Sequence, residues 1–238
     1  MKAFRPAWVI PCYRHGEALQ ARLAALCAAG VPVWVVDDGN EPPLAFEVPP
    51  GGEVKVVRLP KNEGKGGALL AGAKAAYEAG YTHALQLDAD GQHALADAVK
   101  LIEAARREPE VFWSGYPVYG AEVPRARVRG REITRWMVRL ETGLPHEDAL
   151  CGCRAYPLEK LVALAPKIRG RRMTFDVEVV VRWAWAGWPV KPFEVHVAYL
   201  PEGVSNYRMV RDNLALVGMH VRLIAGRVFG WLFSGGRR

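Results

Sequence analysis

Two pairs of aspartates stand where short apolar runs end. Asp37 and Asp38 follow Val33-Trp34-Val35-Val36, and Asp88 and Asp90 follow the run at 82–87. Like charges brought to one point repel, which is costly unless a cation lies between them. Hard oxygen ligands suit Mg2+ or Mn2+, and those ions bind diphosphates readily. Asp88-Ala89-Asp90, with Gln92 and His93 behind it, therefore reads as a metal and diphosphate site. One such motif also serves as a plain turn with a helix cap, but two pairs are harder to explain that way. Gly64-Lys65-Gly66-Gly67 adds a glycine-rich helix start with a cation, a setting that attracts anions. It lacks the spacing and the Ser/Thr of a P-loop, and an ordinary helix-starting turn explains it equally well. No GxGxxG follows the first apolar run, which argues against a nicotinamide dehydrogenase.

Positioning these residues requires an alternating scaffold. Strands are expected at 8–10, 33–36, 54–59, 82–87 and 111–115, with helices at 17–29, 66–79 and 95–107 between them. The order β-α-β-β-α-β-α-β predicts a single α/β domain with a mostly parallel central sheet flanked by helices. Ligands of such sheets bind outside the carboxyl ends of the strands, where all four aspartates fall. Residues 116–131 hold Pro117, Gly120, Pro124 and Gly130 with no clear period and read as a loop. Helices are expected at 132–140, 158–164 and 175–185, and a strand at 190–199.

The chain has 238 residues, half of them apolar, a formal net charge of +7 and four cysteines with no CxxC pair. These features fit an ordinary globular protein in a reducing, cytoplasmic setting. The apolar stretch at 7–10 is too short for a signal-peptide core or a membrane span. The arginines cluster at 125–139, at 169–172 and at the C-terminal end, which favours local anion sites over general solubility.

The motifs together resemble glycosyltransferase family 2. The matching stretches are Val9-Ile10-Pro11-Cys12-Tyr13, Val35-Val36-Asp37-Asp38-Gly39, the run from Asn62 through Gly64-Lys65-Gly66-Gly67 to Leu69, and Leu87-Asp88-Ala89-Asp90-Gly91-Gln92-His93. Their order and spacing resemble the dolichol-phosphate mannosyltransferase-like branch. Residues 148–155 resemble that branch's D-x-x-S-G-F-R-A, with Cys151 for Ser and Cys153 for Phe.

The resemblance implies a GT-A fold, a nucleotide-diphosphate sugar donor such as a UDP- or GDP-sugar, and inversion at the anomeric carbon. By motif, Pro11 and Tyr13 would line the base pocket, and Asp37 and Asp38 would serve the nucleoside side. Lys65, Gly66, Asp88 and Arg154 would contact the donor. Asp88, Asp90 and Gln92 would hold Mg2+ or Mn2+. The segment from Phe175 to Arg182 aligns with the family's E-D-x-D-L-x-x-R stretch, which makes Asp176 the best match to a catalytic base and Glu178 the next. Alternatively, Asp176 caps a helix and Glu178 pairs with Arg182 at i,i+4. A phosphate acceptor would need no base, and Asp176 would then orient or bind.

Residues 170–176 and 203–209, with Asp212, Asn213 and His220, are similar to transferases of bacterial aryl-polyene clusters, which implies a lipid or lipid-linked acceptor. The resulting division is a catalytic domain at 1–208, with a donor half at 1–115 and an acceptor half at 116–208, and a basic amphipathic helical tail at 209–238. That tail would lie on an anionic membrane surface, placing the enzyme peripherally on the inner face of the cell membrane, or would pack on its own domain. A sugar-phosphate nucleotidyltransferase would carry an arginine-containing glycine-rich loop where Pro11-Cys12-Tyr13-Arg14-His15-Gly16 stands. A nucleic-acid-binding module has no use for four strand-end aspartates, so no nucleic-acid partner is expected.

Overall fold

A computed structural model describes residues 3–120, 123–198 and 208–233. The chain runs β1 (Pro6–Cys12), α1 (Gly16–Ala28), β2 (Val33–Asp37), β3 (Val54–Arg58), α2 (Lys65–Glu78), β4 (His83–Gln86), α3 (Leu95–Arg107) and β5 (Phe112–Tyr119). It continues through α4 (Arg125–Thr142), β6 (Arg154–Pro157), α5 (Leu158–Leu164), a 3-10 turn (Ala165–Lys167), α6 (Thr174–Trp185), β7 (Val190–Val197) and α7 (Met209–Phe233). One sheet of order β3-β2-β1-β4-β6-β5-β7 passes through both halves of the chain. The pairs β1–β2, β1–β4, β2–β3 and β5–β7 are parallel, while β6 runs antiparallel between β4 and β5.

The central strands are apolar on both faces because helices cover both. Along β1, Ala7 and Val9 join the cluster under α2, α5 and α6, and Trp8, Ile10 and Cys12 join the one under α1 and α3. Small residues let α2 approach closely: Ala68, Ala73 and Ala76 are buried, and a Cβ on Gly72 would strike Val9 and Val36. The chain turns to opposite sides of β1 for β2 and for β4, so a switch point lies at the carboxyl ends of β1 and β4.

Two expectations need correction, and one strand was not expected. First, the described part of 116–131 is largely strand and helix rather than loop. β5 continues to Tyr119 by pairing with β7, and α4 begins at Arg125. Past Gly115, whose N–H donates to Cys153 O, β5 pairs with β7 alone among the described strands, a setting that tolerates Pro117. The boundary at 115 therefore falls inside β5. Second, β6 is a short strand carrying a buried arginine and gave no period-2 signal. Third, the described part of the segment expected as a tail, α7, packs on the domain. Met219 and Leu223 of α7 are buried, His220 Nδ1 lies 2.7 Å from Glu141 Oε1 of α4, and Arg222 lies 2.9 Å from Glu178 of α6. Packing of its inner face thus decides the position of α7, as its alternative reading held. No helix among the described residues is long and apolar enough to cross a membrane.

Candidate active site

The loops after β1 and β2 are knitted together by one buried carboxylate. Asp37 Oδ1 accepts from Asn40 N (2.9 Å) and Nδ2 (2.7 Å), and Oδ2 accepts from Leu44 N (3.0 Å) and faces Arg58 (3.4 Å). Burial works to raise its pKa, but these donors outweigh it and hold the group below the usual carboxylate range. Asn40 passes the linkage on: its Nδ2 donates to Cys12 O at 2.9 Å, and its Oδ1 accepts from Arg14 N at 2.8 Å. Pro11 and Tyr13 are half-buried beside this junction, and the Arg14 guanidinium lies 5.0 Å from the Tyr13 ring centre. An open cleft of about 1040 Å3 follows, bordered by Arg14, His15, Asn40, Leu44, Asp90 and Gln92.

Asp38 has a different task. Its oxygens accept from Glu63 N (2.6 Å), Gly64 N (2.9 Å) and Asn62 Nδ2 (2.9 Å), so it holds the turn that starts α2. Burial raises its pKa against the pull of those amides. Gly64 has φ +85°, and a Cβ there would press on the Arg171 carbonyl. Gly66 is buried against the Phe175 side chain, so its lack of a Cβ lets the start of α6 meet the start of α2.

That contact creates the charged centre. Lys65 Nζ lies 2.8 Å from Asp88 Oδ1 and 3.1 Å from Asp176 Oδ2. Burial alone would lower the lysine's pKa; the two carboxylates outweigh it and raise it. Asp88 is shifted the opposite way, because Lys65 overcomes the burial that would raise it. Arg154 is fully buried and spends its donors on protein: Nε on Cys151 O (2.7 Å), Nη2 on Ala149 O (2.8 Å) and Nη1 on Asp176 O (2.9 Å). It therefore acts on the site through Asp176 rather than by facing the cleft. Tyr156 extends the linkage, donating to Gln86 Oε1 at 2.9 Å.

Asp90 and Gln92 sit at the cleft edge, and the Gln92 N–H donates to Asp90 Oδ1 at 3.0 Å in a tight turn. Two carboxylates and an amide oxygen form a donor set suited to a hard cation. Among the described residues no group of three or more His, Cys, Asp and Glu side chains is gathered for a metal. Diphosphate oxygens would have to complete such a shell.

Glu178 stands apart from this centre. Two residues along a helix turn the side chain about 200°, and Glu178 points away from Lys65. It accepts from Arg169 N (3.2 Å), Gly170 N (2.7 Å), Arg182 Nε (2.7 Å) and Arg222 Nη2 (2.9 Å) and is fully buried. The i,i+4 pair with Arg182 is present, and Glu178 serves as a fastener between α6, α7 and the 169–170 loop. Asp176 makes no side-chain cap bond; it lies in the first turn of α6 facing Lys65 and Arg154.

The sequence placed Asp148 at the head of the 148–155 motif but assigned it no role. Its Oδ1 accepts from Leu150 N (2.7 Å) and Cys151 N (2.6 Å), and Arg131 of α4 pairs with its other oxygen. This turn lays Gly152 against Asp88, where a Cβ would overlap the carboxylate. An Asp followed two and three residues later by backbone donors is an Asx-type turn, and that was the available signal.

A doubly wound sheet with an open cleft outside the carboxyl ends of its strands is a ligand-binding α/β fold. Residues 7–160 match the model of glycosyl transferase family 2, and the chain belongs to that family. It is 29% identical over 220 residues to an undecaprenyl-phosphate mannosyltransferase of Micrococcus luteus, covering 84% of this chain and 86% of that protein. It is also 29% identical over 175 residues to a UDP-N-acetylglucosamine–dolichyl-phosphate N-acetylglucosaminyltransferase of Methanococcus voltae, covering 71% and 67%. Among solved structures, glucosyl-3-phosphoglycerate synthase of Mycobacterium tuberculosis superposes with a TM-score of 0.58 at 14% identity, over 94% of this chain and 80% of that one. That likeness is one of fold, and the fold is GT-A. The relatives place the chain with the dolichol-phosphate mannosyltransferase-like branch, as its motifs implied. Part of the narrower resemblance, residues 203–207, lies outside the described residues.

Proposed function

We propose that this family 2 enzyme moves a sugar from a UDP- or GDP-sugar to a polyprenyl-phosphate type of lipid acceptor, with inversion, at the cytoplasmic face of a membrane. The observation that carries the acceptor class is the placement of Asp176. Lys65 lies 3.1 Å from one of its oxygens and the Arg154 guanidinium 3.6 Å from the other. A carboxylate whose two oxygens face Lys65 and Arg154 is placed to orient those cations beside the donor. A phosphate acceptor is already ionised and needs no base. The relatives' names, which specify undecaprenyl phosphate and dolichyl phosphate, support the same class.

In this reading the nucleoside lies in the cleft beside Tyr13 and Asn40, over the loop junction that Asp37 organises. Lys65 neutralises charge next to Asp88, and Asp176 fixes Lys65. An acceptor phosphate oxygen attacks the anomeric carbon, the bond from that carbon to the diphosphate oxygen breaks, and the electron pair leaves with the nucleoside diphosphate. No proton moves. Asp88, Asp90 and Gln92 would hold Mg2+ or Mn2+, which when bound stabilises negative charge on the diphosphate.

Calorimetry with UDP- and GDP-sugars tests the donor site: binding should be tighter with Mn2+ or Mg2+ than in EDTA, and Asp90→Ala should remove the difference. Equal affinity in EDTA across the panel sinks the metal role. Transfer to a hydroxyl acceptor but not to a short-chain polyprenyl phosphate overturns the acceptor class.

A further inference from the structure

The arginine run at 125–139 takes no part in the site described above, apart from Arg131. It forms α4, which carries six arginines and two glutamates. Thr134, Val138 and Glu141 face inward and are buried. On the outside, Ile133, Trp136 and Leu140 are 64%, 62% and 51% exposed, with Leu144 at 56% just past the helix end. Steps of three and four residues set the first three in one stripe. Arg125, Arg129 and Arg139 are exposed on the same side, and no carboxylate among the described residues pairs with them.

A bulky aromatic and two aliphatic side chains standing in water amid unpaired cations require a partner that is both apolar and anionic. A second copy of the chain is a poor fit, since a two-fold contact would set these arginines against themselves. An anionic bilayer supplies both features: acyl chains for the stripe and headgroups for the guanidiniums. The outer stripe of α7 (Val210, Leu214, Val217, Val221) is equally exposed but poorly supplied with cations. Arg222 is committed to Glu178, Arg227 to the Leu140 carbonyl, and Arg211 faces Asp212.

We propose that α4 is the membrane-docking element, lying in the headgroup layer of an anionic bilayer with Trp136, Ile133 and Leu140 at the acyl boundary. The proposal rests on the lipid-acceptor reading and names the surface that reading requires. It also gives Arg131 a place: from the inner side of the docked helix it holds Asp148, whose turn lays Gly152 on Asp88. The docked helix is thus linked to the donor centre through Arg131, the Asp148 turn and Gly152.

The test is cosedimentation of the full chain with vesicles of equal phosphatidylglycerol and phosphatidylcholine, and with phosphatidylcholine alone. The wild type should bind the former, release as salt rises, and bind the latter weakly. Arg129→Gln with Arg139→Gln should weaken binding about fivefold per arginine, and Trp136→Ser with Ile133→Ser should abolish most of it. Leu214→Ser with Val217→Ser on α7 should leave it intact. Circular dichroism checks folding, which these exposed positions should not alter. Vesicle-free transfer to a short-chain polyprenyl phosphate, unchanged in all variants, separates failure of docking from failure of the transferase reading. The proposal is overturned if the folded wild type ignores anionic vesicles at low salt. It is equally overturned if only the α7 variant loses binding, or if the α4 variants change the oligomeric state instead of vesicle binding.

Discussion

Lys65 Nζ lies 3.1 Å from Asp176 Oδ2, tying the first turn of α2 to the first turn of α6 across the carboxyl edge of the sheet. The contact is possible because Gly66 leaves room for Phe175. It makes Asp176 a partner of the donor-side lysine, and the consequences can be measured.

Asp176→Asn should lower kcat by less than the two to four decades that loss of a general base would cost. The acidic limb of the pH–rate profile should keep its position, and Lys65→Met should show a comparable defect. A loss of three decades or more together with disappearance of that limb would restore Asp176 as a base.

Gly152→Ala should damage the centre while sparing the fold. The added methyl overlaps the Asp88 carboxylate, so Asp88 must swing away from Lys65. Calorimetry should show weaker donor binding, with far-UV circular dichroism unchanged. Wild-type affinity in the variant would mean that Asp88 does not contact the donor in this orientation.

Glu178→Ala should act on stability. It leaves Arg182 and Arg222 without their carboxylate and two backbone amides without an acceptor. Breaking a buried pair in this way costs about 3–5 kcal/mol. Denaturant unfolding should show that loss, whereas Glu178→Gln should recover part of it. A variant of wild-type stability with no turnover would instead assign Glu178 a chemical role.

Acid should weaken the fold in two stages. Burial, with Arg154 nearby, lowers the His146 pKa from 6.5 to about 4. The neutral folded form therefore contributes stability above about pH 6.5, which is lost as pH falls toward 4. Asp97 is held at about 2 because hydrogen bonds from His196 and Lys100 outweigh the burial that would raise it. Its contribution, about 2 kcal/mol, is present above the ordinary value near 3.8 and fades as pH drops toward 2. Urea unfolding of His146→Gln between pH 7 and 4 should be flatter than that of the wild type, and Asp97→Asn should remove the lower stage. Parallel curves for the variants and the wild type would rule out these two groups.

The sequence by itself determined the alternating elements through β5, the two-sided burial of the central strands and the arrival of four aspartates at one sheet edge. These follow from short-range periodicity, because an apolar run closed by turn residues specifies both a buried strand and which end of it opens into a loop. The family motifs add which edge is chemical. Tertiary structure alone decided what each acid does. Asp37 and Asp38 are adjacent in sequence, yet one organises the loops after β1 and β2 and the other caps the turn into α2, because neighbouring side chains leave a strand end on opposite faces. Asp176 and Glu178 share one motif, but the turn of the helix sends the first to Lys65 and the second to Arg222. The inward and outward faces of α4 and α7 were likewise fixed only by packing, since an amphipathic pattern defines two faces without saying what covers each.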